Sequence, residues 1–139
     1  MITARLKWVD GFQFVGESGS GHTIVIDAPN ETGGTATGMT PMEMLLVAIG
    51  GCSGMDVTSV LKKKKLDVHD IDIKVHGEKA EDFPQKYTAI QLAFIVTGTN
   101  LPDEAVRKAI DLSMNKYCSV KATLEGSAKI SYTHKTVNI

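Results

Sequence analysis

The stretch TPMEMLLVAIGGCSGMDV, residues 40–57, carries no charge between Glu43 and Asp56. Everything from Met44 to Met55 is apolar or small. Pro41 suits the first turn of a helix and Thr40 its N-cap, so a helix is expected from about residue 41 to Lys65. Its first part is apolar on all sides. Its second part is amphipathic, with Val57, Val60 and Leu61 facing inward. A helix that is apolar all round must be surrounded, and a chain of 139 residues has one sheet face and one further helix to offer it. Gly50 and Gly51 leave a bare patch where another backbone can approach, at a helix-propensity cost of ~1 kcal/mol each. A second copy of the chain is the economical solution. An obligate, isologous homodimer with this helix near its core is therefore expected.

The flanking segments read as strands. Ile2, Ala4, Leu6 and Trp8 alternate with Thr3, Arg5 and Lys7, the pattern of a half-buried strand. Asp10-Gly11 signals a hairpin turn, after which Phe12 and Phe14 continue as a second strand. Ser18–Gly21 makes another turn before a third strand at Ile24 and Ile26. Residues 28–40, APNETGGTATGMT, have almost nothing to bury and read as a mobile loop. Beyond the helix, HDIDIKVH and TAIQLAFIVTG alternate strictly, joined by a polar loop around Glu81–Pro84. LPDEA opens a second helix, on which Val106, Ala109, Ile110, Ser113 and Tyr117 recur at helical spacing, with Cys118 at its end. AKISYTHKTV reads as a closing strand. Strands, helix, strands, helix, strand describe one α+β domain over residues 1–139, with helices covering antiparallel sheets.

Bulk properties exclude some functions. A net charge of −1 gives no global field toward nucleic acid or anionic lipid. The run Lys62–Lys65 reads as a solvated helix end, where cations suit the dipole. Residues 1–10 carry Arg5, Lys7 and Asp10 with no apolar core of a signal peptide. The uncharged run itself is shorter than the ~20 residues that span a bilayer. Neither nucleic acid nor membrane is an expected partner, and a cytoplasmic location is expected. In a reducing compartment Cys52 and Cys118 are either inert core residues or a reactive pair, not a static disulfide.

The four histidines are scattered, and no third soft ligand stands near either cysteine at metal spacing, so no metal site is expected. Free cysteine is usually plain core. Two details favour chemistry instead. Asp56 stands at i+4 from Cys52, on the same helix face. Cys118 comes directly after Tyr117 at a helix end, where it can meet the first helix.

PMEMLLVAIGGCSGMDV, VLKKKK, FIVTG and YCSV, in that order and over nearly the whole chain, make the sequence similar to the OsmC/Ohr family, closest to its YhfA-like branch. The resemblance implies an OsmC-like fold: an intertwined α+β homodimer whose strands wrap central helices, with the active site at the interface. It implies a thiol peroxidase for organic hydroperoxides that needs no cofactor. By position, Cys52 would be the peroxidatic thiol and Cys118 the resolving one, with a dithiol as reductant. A second cysteine beside a sulfenic acid halts over-oxidation. The apolar helix around Cys52 suits a greasy substrate.

The family's thiolate-stabilising arginine has no counterpart by position: the two arginines are Arg5 in the first strand and Arg107 on the second helix. The glutamate that holds that arginine corresponds to Met42, with Glu43 one residue later. Ser119 stands where peroxidases of the family carry proline. Glu43, Asp56 and His22 are the supporting candidates, His22 as a substitute positive charge. Two rival readings stand beside the peroxidase: a non-catalytic dimer holding an apolar or thiol-bearing small molecule at its interface, and a plain structural role for both cysteines.

Overall fold

Turn chemistry shapes the amino-terminal segment. In the computed structural model, which describes Met1–Ile139, β1 (Ala4–Asp10), β2 (Gln13–Ser18) and β3 (Thr23–Ile26) form an antiparallel meander. Gly11 has φ +53° in the first turn and Gly21 φ +89° in the second, conformations that cost glycine nothing for want of a Cβ. Phe12, expected in the second strand, lies in the first turn and is exposed. The alternation in β1 predicts a half-buried strand, yet every residue of it is exposed. Within the compact unit Met1–Leu45 the meander is one layer, and a sheet needs a second layer to bury a face.

The loop at 28–40, expected to be mobile, is laced to Asp27 by hydrogen bonds. Asp27 is buried, and its carboxylate accepts the hydroxyls of Thr35 and Thr37, both at 2.6 Å. The backbone N–H groups of Ala28 (2.7 Å) and Thr37 (3.2 Å) donate to the same carboxylate. A single turn of 3-10 helix, Asn30–Thr32, lies inside this loop.

Helix α1 (Pro41–Lys63) starts in this unit with a reciprocal cap. Glu43 N–H donates to Thr40 Oγ1 (3.2 Å), and Thr40 N–H donates to Glu43 Oε1 (2.9 Å), the capping box that T-x-x-E encodes. The far end closes two residues earlier than expected. Lys65 turns left-handed at φ +55°. Its N–H reaches Lys62 O (2.9 Å) while Leu66 N–H reaches Leu61 O (3.3 Å), the Schellman pattern that satisfies the last carbonyls.

The second unit, Leu46–Ile139, holds β4 (Asp67–Lys79), β5 (Tyr87–Thr99), α2 (Asp103–Leu112), a single π turn (Ser113–Tyr117), α3 (Ser119–Leu124) and β6 (Lys129–Asn138). The register sets Ile71, Ile73 and Val75 of β4 opposite Val96, Phe94 and Leu92 of β5, all on one face. Asp70, Asp72, Lys74 and His76 face the other way and are exposed. The α+β class holds, but the expectation of purely antiparallel sheets does not: β6 runs parallel to β5. The reason is the connection. Parallel neighbours need a crossover of a dozen or more residues, and α2, the π turn and α3 supply it; α3 itself was not expected.

Helix α1 covers the apolar face with Ile49, Ser53, Val57 and Leu61, its four fully buried positions. A Cβ on Gly54 would lie 3.0 Å from Ile73 Cδ1, and one on Gly50 3.2 Å from Val75 Cγ2. Gly50 therefore serves packing within the chain. A Cβ on Gly51, by contrast, would meet nothing within 4 Å. The opposite side of α1 is uncovered, with Val47 60% and Met55 75% exposed. By length and composition α1 is apolar enough to cross a bilayer, although the uncharged run alone suggests otherwise: it has 23 residues and a mean hydropathy of 1.6 over its most apolar 18.

Candidate thiol and carboxylate site

Residues four apart on a helix share a face, and α1 uses this to put Cys52 and Asp56 side by side. Cys118 arrives from the other direction. The spacing of Val106, Ala109, Ile110 and Ser113 predicts that α2 continues smoothly to Tyr117. Instead the helix widens into the π turn, and Cys118 N–H donates to Ser113 O at 2.8 Å. The extra residue rotates the end of the helix: Tyr117 swings out to 49% exposure, while Met114 and Cys118 are buried. Cys118 then leaves helical geometry (φ −69°, ψ 100°) and caps α3, its sulfur accepting the Lys121 N–H at 3.4 Å.

The result is a cluster of Cys52 Sγ, Cys118 Sγ and an Asp56 carboxylate oxygen, all within 4.8 Å of one another. Both cysteines are free, Cys52 half-buried and Cys118 buried. Ser113, with no exposed surface, donates its hydroxyl to Asp56 Oδ2 at 2.9 Å. Ser113 thus fixes Asp56 with its side chain and Cys118 with its carbonyl. Sequence reasoning missed it as a site residue. Its signal was a polar side chain ending the apolar series Val106, Ala109 and Ile110 at helical spacing.

Burial pushes the Cys118 thiol up to about 11, opposed by the Lys121 N–H and reinforced by its hydrogen bond to Cys52 and by the negative charge of Cys52 and Asp56. Cys118 is therefore a thiol at neutral pH.

Two clefts reach the cluster. One, of about 480 Å³, is lined by Asp56, Lys63, Lys64 and Tyr117. The other, of about 260 Å³, is lined by Cys118, Asn115, Lys121 and Glu125. Lys63 and Lys64 of the basic run at the end of α1 thus line the same cleft as Asp56. Arg107 is committed elsewhere, paired with Glu104 and with Asp111. Of the supporting candidates, Asp56 joins the cysteines. The Glu43 carboxylate is engaged in capping α1, and hydrogen bonds from the Thr40 backbone and hydroxyl hold it below the usual range. His22 lies in the first unit, exposed in the turn before β3, and lines an apolar trough with Leu6, Ile24, Ile26 and Met44.

The family model described as OsmC-like protein matches residues 33–133. Protein YhfA of Escherichia coli (strain K12) is 48% identical over 136 residues, covering 98% of each chain. A crystal structure of a hypothetical protein from Aquifex aeolicus VF5 superposes with a TM-score of 0.82 at 34% identity, covering 98% of this chain and 97% of that one. The Organic Hydroperoxide Resistance Protein OhrB of Bacillus subtilis superposes at 0.62 with 20% identity, over 96% and 98% of the two chains.

Proposed function

The chain belongs to the OsmC-like family, and on that premise we propose that it is a cysteine thiol peroxidase for organic hydroperoxides. The observation that carries the reading is the 4.8 Å cluster of two free sulfurs and a carboxylate. The Cys52 thiolate attacks the terminal oxygen of ROOH. The O–O bond breaks, ROH leaves, and Cys52 becomes a sulfenic acid. Cys118, kept as a thiol by burial, condenses with it to form the disulfide and water. An external dithiol then reduces the disulfide and is itself oxidised. Asp56, whose carboxylate lies in the same cluster, takes up and returns the thiol proton. The fold shared with organic hydroperoxide resistance proteins supports this assignment.

The same reading includes a homodimer in a reducing, cytoplasmic compartment. Its support is the bare side of α1: Val47, Gly51 and Met55 stand at i, i+4 and i+8 with nothing over them. A second copy covering them would supply the missing surround.

One observation favours the rival reading, a non-catalytic dimer that holds an apolar or thiol-bearing molecule. A buried cysteine needs a cation or an equivalent to ionise, and Arg107, the sole arginine of residues 46–139, is already held by two carboxylates. One experiment separates the two. Reduced protein receives one equivalent of cumene hydroperoxide and its intact mass is tracked with time. The peroxidase reading expects rapid loss of two hydrogens, no reaction in Cys52→Ser, and one added oxygen in Cys118→Ser. A rate no faster than that of a free thiol would sink the peroxidase reading and leave the binding reading and the plain structural role of both cysteines.

A further inference from the structure

The cluster has a property that the peroxidase cycle does not use. Two sulfurs and one carboxylate converge on a point, and three potential anions so close together favour a cation between them. Tetrahedral zinc bound through sulfur at ~2.3 Å and oxygen at ~2.1 Å spaces its donors about 3.5–3.8 Å apart. The three donor atoms lie within 4.8 Å of one another, so each has to close by about 1 Å at most.

We propose that Cys52, Cys118 and Asp56 form a binding site for a soft divalent cation, Zn2+, in the reduced protein, with the fourth position open. Thiolate donors select zinc over the harder Mg2+ and Ca2+. The surroundings are those of a metal site. Ligating carboxylates are oriented by hydrogen bonds from a neighbouring group, and Ser113 Oγ donates to Asp56 Oδ2 at 2.9 Å from a fully buried position. The Lys121 N–H already points at Cys118 Sγ, a donor that a metal-bound thiolate keeps. Cys52 and Asp56, one helical turn apart, offer a preformed pair, and the π turn delivers the third ligand. Each thiol gives its proton to buffer as the metal binds. Cysteine spacing conceals the site because Cys118 comes from a distant segment of the chain.

The proposal shares two sulfurs with the peroxidase reading but stands apart from it: a catalytically inert protein can bind zinc, and an active one can fail to. While zinc is bound, both thiols are masked.

The test is a titration of the reduced, full-length protein with Co2+ as a spectroscopic stand-in, and then displacement with Zn2+ against a chromophoric chelator. Binding at one ion per chain is expected, with intense near-ultraviolet thiolate-to-cobalt absorption and visible bands of tetrahedral intensity. Cys52→Ser and Cys118→Ser should each lose the site. Asp56→Asn should weaken zinc at least tenfold, and Ser113→Ala, which removes only the orienting hydroxyl, about tenfold. Circular dichroism on each variant separates loss of a ligand from loss of the fold. Absence of the thiolate band in the folded wild-type protein would overturn the proposal. So would unchanged zinc affinity in folded Asp56→Asn. Hydroperoxide reactivity, measured on the metal-free protein, reports on the peroxidase reading alone.

Discussion

Joining Cys52 to Cys118 closes a loop of about 66 residues. In the chain-entropy model, a loop of this length removes about 15 cal/mol/K from the unfolded ensemble, or about 4 kcal/mol at 25 °C. Part of that is lost in the folded state. Sulfurs that start within 4.8 Å must approach to about 2.05 Å. The movement strains the Lys121 N–H bond to Cys118, worth ~1 kcal/mol. About 3 kcal/mol of net stabilisation remains, and the assay is urea unfolding of the fully reduced and fully oxidised forms at one protein concentration. With urea slopes of roughly 1–3 kcal/mol/M, the midpoint should rise by about 1–3 M. Cys118→Ser should show no such rise under the same oxidant. An oxidised form that has lost two hydrogens yet unfolds at the same or lower urea would refute the reasoning, because the folded chain would then not hold the two sulfurs as neighbours.

Lys65→Gly should stabilise the protein by about 0.5–1 kcal/mol, since a left-handed non-glycine residue costs roughly 1–2 kcal/mol and glycine returns part of that in unfolded-state entropy; its φ of +55° is the reason, and thermal unfolding reads the change. Thr40→Ala removes the hydroxyl that accepts Glu43 N–H and should cost ~1 kcal/mol by the same measurement. Phe94→Ala, at a fully buried position on β5, should cost about 3–5 kcal/mol in urea unfolding. The hydroxyls of Thr35 and Thr37 hold the Asp27 carboxyl well below the usual carboxylate range. A depressed folded value contributes stability that is complete above the unfolded pKa of about 3.9 and drains away as pH falls below it. Amide-exchange protection factors at Thr35 and Thr37 should therefore decline below about pH 4, and Asp27→Asn should lower them at neutral pH and flatten that decline.

Local patterns made the elements legible. Strict alternation at Ile71, Ile73 and Val75 located β4, and Thr40 followed by Pro41 located the start of α1. Direction was not legible: alternation in AKISYTHKTV marks a strand but is the same read either way, and β6 turned out parallel to β5. The π turn escaped because Ser113 and Tyr117 satisfy a regular helical period. What breaks that period is tertiary, a serine hydroxyl bound to Asp56 on another helix. The exposure of all of β1 escaped for a related reason, since alternation announces an apolar face without saying whether anything in the chain covers it. At the site, i+4 spacing placed Asp56 beside Cys52, and resemblance to a family paired Cys52 with Cys118. Ser113 stood out only as a polar residue in an apolar helical series, which does not by itself mark it as the residue joining them.

The parallel pairing of β5 and β6 has a consequence during synthesis. β6 is made after β5 and after both crossover helices, and Ile90 waits for Ile130 as its partner. Until β6 emerges, one edge of β5 is a row of free backbone groups beside Ile90, Leu92, Phe94 and Val96. Such an edge is a template for pairing with another nascent chain. A transcript cut short just before Lys129 would therefore yield a product with both cysteines present and its sheet unfinished, prone to stick to its neighbours on the polysome before either sulfur meets an oxidant.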